Sequence, residues 1–173
     1  MAKLKILQYP NPLLKRKASK VTDFSDPTLQ QTIDDMLESL QSAENCAGLS
    51  STQLDINNPP SITVFPHPGK PQEIVCLINP EIIKAIGKRT DIEACMSIFS
   101  DVLSAQVERS EEVHVKAFDR NGKEINIEAK GFLAKLLQHE IDHLNGIIYL
   151  DRISKLKRSR MDKKIQKILE QKT

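Results

Sequence analysis

The chain lacks any apolar run close to the roughly 18 residues that a bilayer-spanning helix requires, so none of its 173 residues reads as a membrane anchor. A secretory leader is not expected either. The opening MAKLKILQYPNP has an early lysine but no apolar stretch of signal length and no small-residue cleavage site. Pro10 and Pro12 interrupt it too early for an amphipathic transit peptide, which leaves the cytoplasm as the expected address. Cysteines are few and odd in number (Cys46, Cys76 and Cys95), so they cannot form a full disulfide set. In a reducing compartment each thiol reads instead as core, nucleophile or metal ligand. Internal repeats and low-complexity linkers are absent as well. What is present, 39% hydrophobic and 28% charged residues, is the balance of one globular domain, expected to span residues 1–173.

Charge is unevenly placed. The net charge is +2, yet residues 151–173 hold nine Lys/Arg against three Asp/Glu, a local +6 that leaves −4 on the remainder. A basic tail on a mildly acidic body suits a polyanionic partner, while the plainer reading is a solvated helix face.

Segment patterns indicate an α+β fold. PNPLLKRKA reads as a turn and short helix. Asp26 is a good N-cap with Pro27 at the first helical position, and Leu29, Ile33, Met36, Leu37 and Leu40 recur at helical spacing up to about Ala43. The runs SITVF, EIVCLINP, EIIKAIG, EVHVKAFD and KEINIEA are short, β-branched-rich and separated by Asn, Pro and Gly, as antiparallel strands are. DRNGK supplies an Asn-Gly hairpin signal between the last two. GFLAKLLQHEIDHL then predicts a helix after Gly131 with a broad apolar face (Phe132, Leu133, Leu136, Leu137, Ile141 and Leu144), ended near Gly146. A last helix is expected from about Ser154, so residues 154–173 form a basic C-terminal tail. The expected architecture is antiparallel sheets packed around a central metal-binding helix, with one helix near each end of the chain.

Two of the four histidines, His139 and His143, stand four residues apart on that central helix. Their side chains therefore point the same way, one turn apart, and can share an ion. Glu140 follows the first and can reach a water on that ion, which is the mechanics of H-E-x-x-H. A random chain of this length shows the pattern roughly once in a few hundred cases, and the helix is too apolar to be a surface one bearing two incidental histidines. His67 and His114 read as ordinary loop and strand residues. A third protein ligand is needed, and cysteine is the softest candidate. Cys76 sits in a strand core as a packed thiol; between Cys46 and Cys95, spacing alone does not decide.

The motifs together resemble the peptide deformylase family. Gln138-His139-Glu140-Ile141-Asp142-His143 matches that family's metal-helix signature intact. Glu93-Ala94-Cys95-Met96-Ser97 is similar to its Glu-Gly-Cys-Leu-Ser signature, and Cys46-Ala47-Gly48-Leu49-Ser50-Ser51-Thr52-Gln53 to its glycine-rich stretch ending in Ala-Ala-x-Gln. The likeness runs in order from about residue 3 to 160. It implies one divalent metal ion on Cys95, His139 and His143, with Fe(II) the native ion and Zn(II) or Ni(II) able to replace it; a thiolate with two imidazoles suits such ions. It implies Glu140 as acid/base, with Gln53 and the Met96 backbone N–H steadying the oxyanion. It further implies a substrate pocket built by Ala47, Gly48, Glu93, Ala94, Phe132, Lys135 and Leu136. The activity implied is removal of the formyl group from N-formylmethionyl peptides. The basic tail would touch the ribosome, without sequence-specific nucleic-acid or membrane binding.

Departures from the family pattern cluster around the pocket. Cys46 and Ala94 replace glycines, Ser50-Ser51 replaces Ala-Ala, Met96 replaces leucine and Phe99 a proline. Small Ala47 and charged Lys135 stand where the family carries apolar side chains. If Ala94 needs a positive φ, its Cβ costs about 1 kcal/mol or more; otherwise it crowds the backbone edge that pairs with substrate. Lys135 is expected half-buried with its ammonium in solvent, or else narrowing and charging the pocket. These departures keep two alternatives in view: a metal-dependent amidase for another N-acyl substrate, and a catalytically idle metal-binding relative.

Overall fold

The computed structural model describes residues 3–171. Its first helix, α1 (Pro27–Ser42), starts where Asp26 accepts a hydrogen bond from the Thr28 N–H at 2.8 Å, with Pro27 in the first turn. A short 3-10 turn, Pro12–Lys15, precedes it. Seven strands follow: β1 (Leu49–Ser50), β2 (Ile62–His67), β3 (Lys70–Ile86), β4 (Arg89–Glu93), β5 (Ala105–Arg109), β6 (Glu112–Phe118) and β7 (Glu124–Lys130). The central helix α2 spans Gly131–Leu144 and the last helix α3 spans Lys155–Gln171. This is the α+β architecture that the sequence pattern predicts.

Strands β1-β2-β3-β6-β7 form one antiparallel sheet in that order, and β4 and β5 pair separately. The two runs EIVCLINP and EIIKAIG, read from sequence as separate strands, are one 17-residue strand, β3. A break in register between Ile78 and Glu81 absorbs Asn79, at φ 50°, and Pro80, which has no N–H to give. The Asn79 side chain bonds the Val21 N–H and carbonyl at 2.9 and 2.8 Å, which supports the unusual backbone.

The sheet separates two cores. Ile62, Val64 and Ile78 face Leu29, Ile33, Met36 and Leu40 of α1. Their strand neighbours Phe65 and Leu77 join Val113, Val115 and Ala117 against Ala134, Leu136, Leu137 and Ile141 of α2. The strand period of two thus sends alternate residues to opposite helices. Each fully buried Val, Leu, Ile, Phe or Met among them contributes about 1.5–3 kcal/mol. A third cluster joins Cys95, Ile98 and Val107 to Tyr149, Leu150 and, from α3, Met161 and Ile165. Phe132, read from sequence as part of the buried face of α2, is instead 63% exposed at its first turn.

α2 ends in a Schellman motif: the Ile147 N–H reaches the Asp142 carbonyl at 2.9 Å and the Gly146 N–H the His143 carbonyl at 3.0 Å. Gly146 sits at φ +73°, and a Cβ there would collide with the Lys15 backbone carbonyl. We predict that Gly146→Ala lowers the urea stability of the protein by more than about 2 kcal/mol, because backbone strain and overlap add.

Candidate active site

α2 carries the site because it crosses the protein interior. His139 and His143 lie one turn apart on its inner face, their Nε2 atoms 3.2 Å from each other. The turn after β4 brings the Cys95 Sγ to 3.3 Å from the His143 Nε2. That turn is closed by the Ile98 N–H on the Cys95 carbonyl at 2.8 Å. The ligand atoms of Cys95, His139 and His143 all lie within 4.8 Å of one another. Cys46, the other open candidate, stands outside this group, its thiol on the Gly48 carbonyl at 3.1 Å and pushed up to about 12 by burial. Burial likewise pushes the Cys76 thiol up to about 12.

The chemistry of this donor set fits a bound cation. Glu93 Oε2 lies 2.9 Å from the His139 Nδ1. It fixes the tautomer with hydrogen on Nδ1, which leaves the Nε2 lone pair aimed inward. Burial lowers His143 well below the ordinary imidazole range and keeps it in the neutral, ligating form. With both Nε2 atoms unprotonated, two inward lone pairs and a sulfur in mutual contact repel unless a positive charge lies among them. The residues therefore fit a divalent ion, with one soft and two borderline ligands.

Glu93 is itself braced. Arg109 donates to its two carboxylate oxygens at 2.7 and 3.0 Å and also to Asp142, which Arg152 grips at 2.6 and 3.0 Å. Burial alone would raise the Glu93 carboxyl, but the bonds from His139 and Arg109 and the arginine charge hold it down at about 2. Asp142 is buried in this network and so is not the exposed helix acid that its position also allowed. Gln138 pins the neighbouring loop, its amide paired with the Ser110 N–H and carbonyl at 2.9 Å each.

Glu140 reaches across to β1. Its carboxylate accepts the Ser50 hydroxyl at 2.6 Å and passes so close to Gly48 that a Cβ there would stand 2.8 Å from Oε1. Burial pushes the Glu140 carboxyl up, against the opposing pull of His139 and Ser50. Gln53 presents its amide nitrogen 3.6 Å from Cys95 Sγ and 3.2 Å from Ser97 Oγ, while its oxygen is held by the Ser50 N–H at 2.9 Å.

One cleft of about 170 Å³ is lined by Ala47, Gly48, Gln53, Glu93, Ala94, Cys95, Met96, Phe132, Lys135, Leu136, His139 and Glu140, with His143 buried behind them. Glu93 lines it although its carboxylate faces His139 and Arg109. Ala94 is not among the non-glycine residues at positive φ, so it crowds the cleft edge without strain. Lys135 is half-buried, and its ammonium is held by Asp91 at 3.2 Å and the Ile92 carbonyl at 3.1 Å, not left free in solvent. Sequence reading missed Arg109 and gave Ser50 no part in the site. Arg109 had a faint signal, since in AQVER it shares a strand face with inward Val107.

A sulfur and two imidazoles beside a buried carboxylate and an inward amide define a metallohydrolase site. The polypeptide deformylase family model matches residues 3–159. Peptide deformylase 1 of Coxiella burnetii is 48% identical over 96% of this chain and 97% of its own length. A crystal structure of a peptide deformylase from Legionella pneumophila superposes with a TM-score of 0.86 at 36% identity, covering 99% of this chain and 98% of that one. One from Ehrlichia chaffeensis, in complex with actinonin, gives 0.83 at 31% identity over 96% and 98%. The chain belongs to the polypeptide deformylase family.

The charge network has a pH signature. Glu93 is depressed from 4.5 to about 2, so its contribution is complete above pH 4.5 and disappears as pH falls toward 2. Urea stability of the metal-free protein should lose about 3 kcal/mol from this group over that window, and Glu93→Gln should flatten that part of the acid limb.

Proposed function

We propose that this chain removes the formyl group from the N-terminal methionine of newly made peptides, working in the cytoplasm as one catalytic domain over residues 1–173. The observation that carries this reading is the convergence of Cys95, His139 and His143 with the buried Glu140 carboxylate and the Gln53 amide on one cleft.

Cys95, His139 and His143 would hold one divalent ion, Fe(II) natively with Zn(II) or Ni(II) as substitutes. Such an ion supplies Lewis acidity, making water acidic near neutral pH and polarising the formyl oxygen. Glu140 takes a proton from the water whose oxygen attacks the formyl carbon. As the carbon–nitrogen bond breaks, Glu140 returns that proton to the amine, giving formate and a free N-terminus. A carboxyl raised by burial suits both halves of this exchange. The Gln53 amide and the Met96 N–H donate to the oxyanion formed in between.

Ala47, Gly48, Ala94, Phe132 and Leu136 form the walls that receive the methionine side chain and backbone, with Glu93 behind. Lys135, bound to Asp91, sits at the rim, where exposed Phe132 also stands. No helix among the described residues is long and apolar enough to cross a membrane. α3 buries Met161 and Ile165 and leaves Lys155, Lys157, Arg160, Lys163, Lys164 and Lys167 exposed. This cationic face is the surface we assign to ribosomal RNA near the emerging peptide.

Anaerobically prepared, iron-loaded protein should release formate from formyl-Met-Ala-Ser, and Glu140→Gln should lower kcat by about 10²–10⁴ while metal content stays at one ion. Well-metallated protein that releases none refutes the reading. Reversing Lys163, Lys164 and Lys167 to Glu should weaken low-salt ribosome co-sedimentation without changing formate release from a free tripeptide; unchanged sedimentation removes the ribosome assignment.

A further inference from the structure

Glu140 is flanked on two sides by one short segment, Gly48 to Ser50. The Ser50 hydroxyl donates to Oε2 at 2.6 Å, while Oε1 overlies Gly48 so closely that a Cβ would stand 2.8 Å away. The same hydroxyl is 3.0 Å from the Glu140 backbone carbonyl, and the Ser50 N–H holds the Gln53 amide oxygen at 2.9 Å. Ser50 is fully buried, so no bulk water competes for these bonds. A single hydroxyl hydrogen serves one acceptor at a time, and the carboxylate is the closer and the charged one. The family motif carries alanine at this position, so the hydroxyl is a feature of this chain's own residue.

A carboxylate that takes a proton from water and hands it to an amine must present the same oxygen on both occasions. Rotation of the carboxyl group between the two events would carry the proton away from the cleft. We propose that Ser50 is a positioning residue for the reaction: its hydroxyl anchors Glu140 Oε2, keeping Oε1 turned to the cleft as the proton-carrying atom. Gly48 completes the arrangement by leaving room for Oε1, and both residues come from the segment that also carries Gln53. The inference rests on the reading of Glu140 as the proton carrier.

Ser51 is the natural comparator. It is equally buried and adjacent, but its hydroxyl goes to the Pro60 carbonyl and touches nothing in the cleft. Both serines lose one buried hydroxyl on change to alanine, a substitution that adds no atoms. The test is steady-state formate release by iron-loaded wild type, Ser50→Ala and Ser51→Ala, with metal content and urea midpoint measured on the same samples. Ser50→Ala should lower kcat about tenfold with KM within about twofold, whereas Ser51→Ala should keep kcat within about twofold at a similar midpoint shift. Wild-type kcat in Ser50→Ala, or an equal fall in both variants, overturns the proposal. So does loss of metal from Ser50→Ala, because the hydroxyl would then serve the ion site. Metallated wild type that releases no formate overturns the deformylase reading and this inference together; an active wild type with an unaffected Ser50→Ala overturns this inference alone.

Discussion

The bond between the Glu93 carboxylate and the His139 imidazole is the constraint around which the molecule is organised. It decides which nitrogen of His139 faces inward, and therefore whether the three donors can act together. A buried carboxylate cannot stand there alone, because removing it from water costs several kcal/mol. Arg109 answers that charge, Asp142 answers the second arm of Arg109, and Arg152 leads the chain of charges out to the surface. Each member comes from a different element: the end of β4, the end of β5, α2 and the segment before α3. The network therefore fixes the small β4–β5 sheet against the central helix while it sets the tautomer of a ligand.

The two glutamates of the site are driven apart by their surroundings. Glu93, among cations, stays ionised down to about pH 2. Glu140, one residue past His139 but packed against Gly48 and Ser50, is pushed upward by burial. Divergence of this kind separates a fixed charge from a group able to exchange protons. It arises from direction on a helix, not from residue type. Gly48 is the local cause, since any side chain at that position would occupy the space Glu140 needs.

Much of this arrangement is legible in the chain. Helix caps at Asp26 and Gly146, the Asn-Gly hairpin, and the pair His139 and His143 follow from local chemistry within one or two turns. Cys95 is different. It lies 48 residues from His143 in sequence, and only family likeness chose it over Cys46 until the fold placed its sulfur. Arg109 escaped for the same reason: a charge on an inward strand position makes sense only when its partners on β4 and α2 are known. The continuity of β3 was hidden by Asn79 and Pro80, which punctuate a strand locally while a register break carries it through. Phe132 fits the apolar period of α2, yet it falls at the turn where the helix emerges beside the cleft.

That long strand has a consequence for how the protein holds together. The first part of β3 is zipped to β2 and the last part to β6, with Ile78 paired to both Ile62 and Phe118. Adjacent residues Leu77 and Ile78 enter the two cores on opposite faces. Neither half of the sheet can then melt as an independent unit, because fraying one side withdraws a wall from the other. Fluctuations large enough to expose the centre of β3 are global openings, so the floor beneath α2 has the stability of the whole domain. A site whose ligands come from distant segments is in this way held on the least yielding part of the chain.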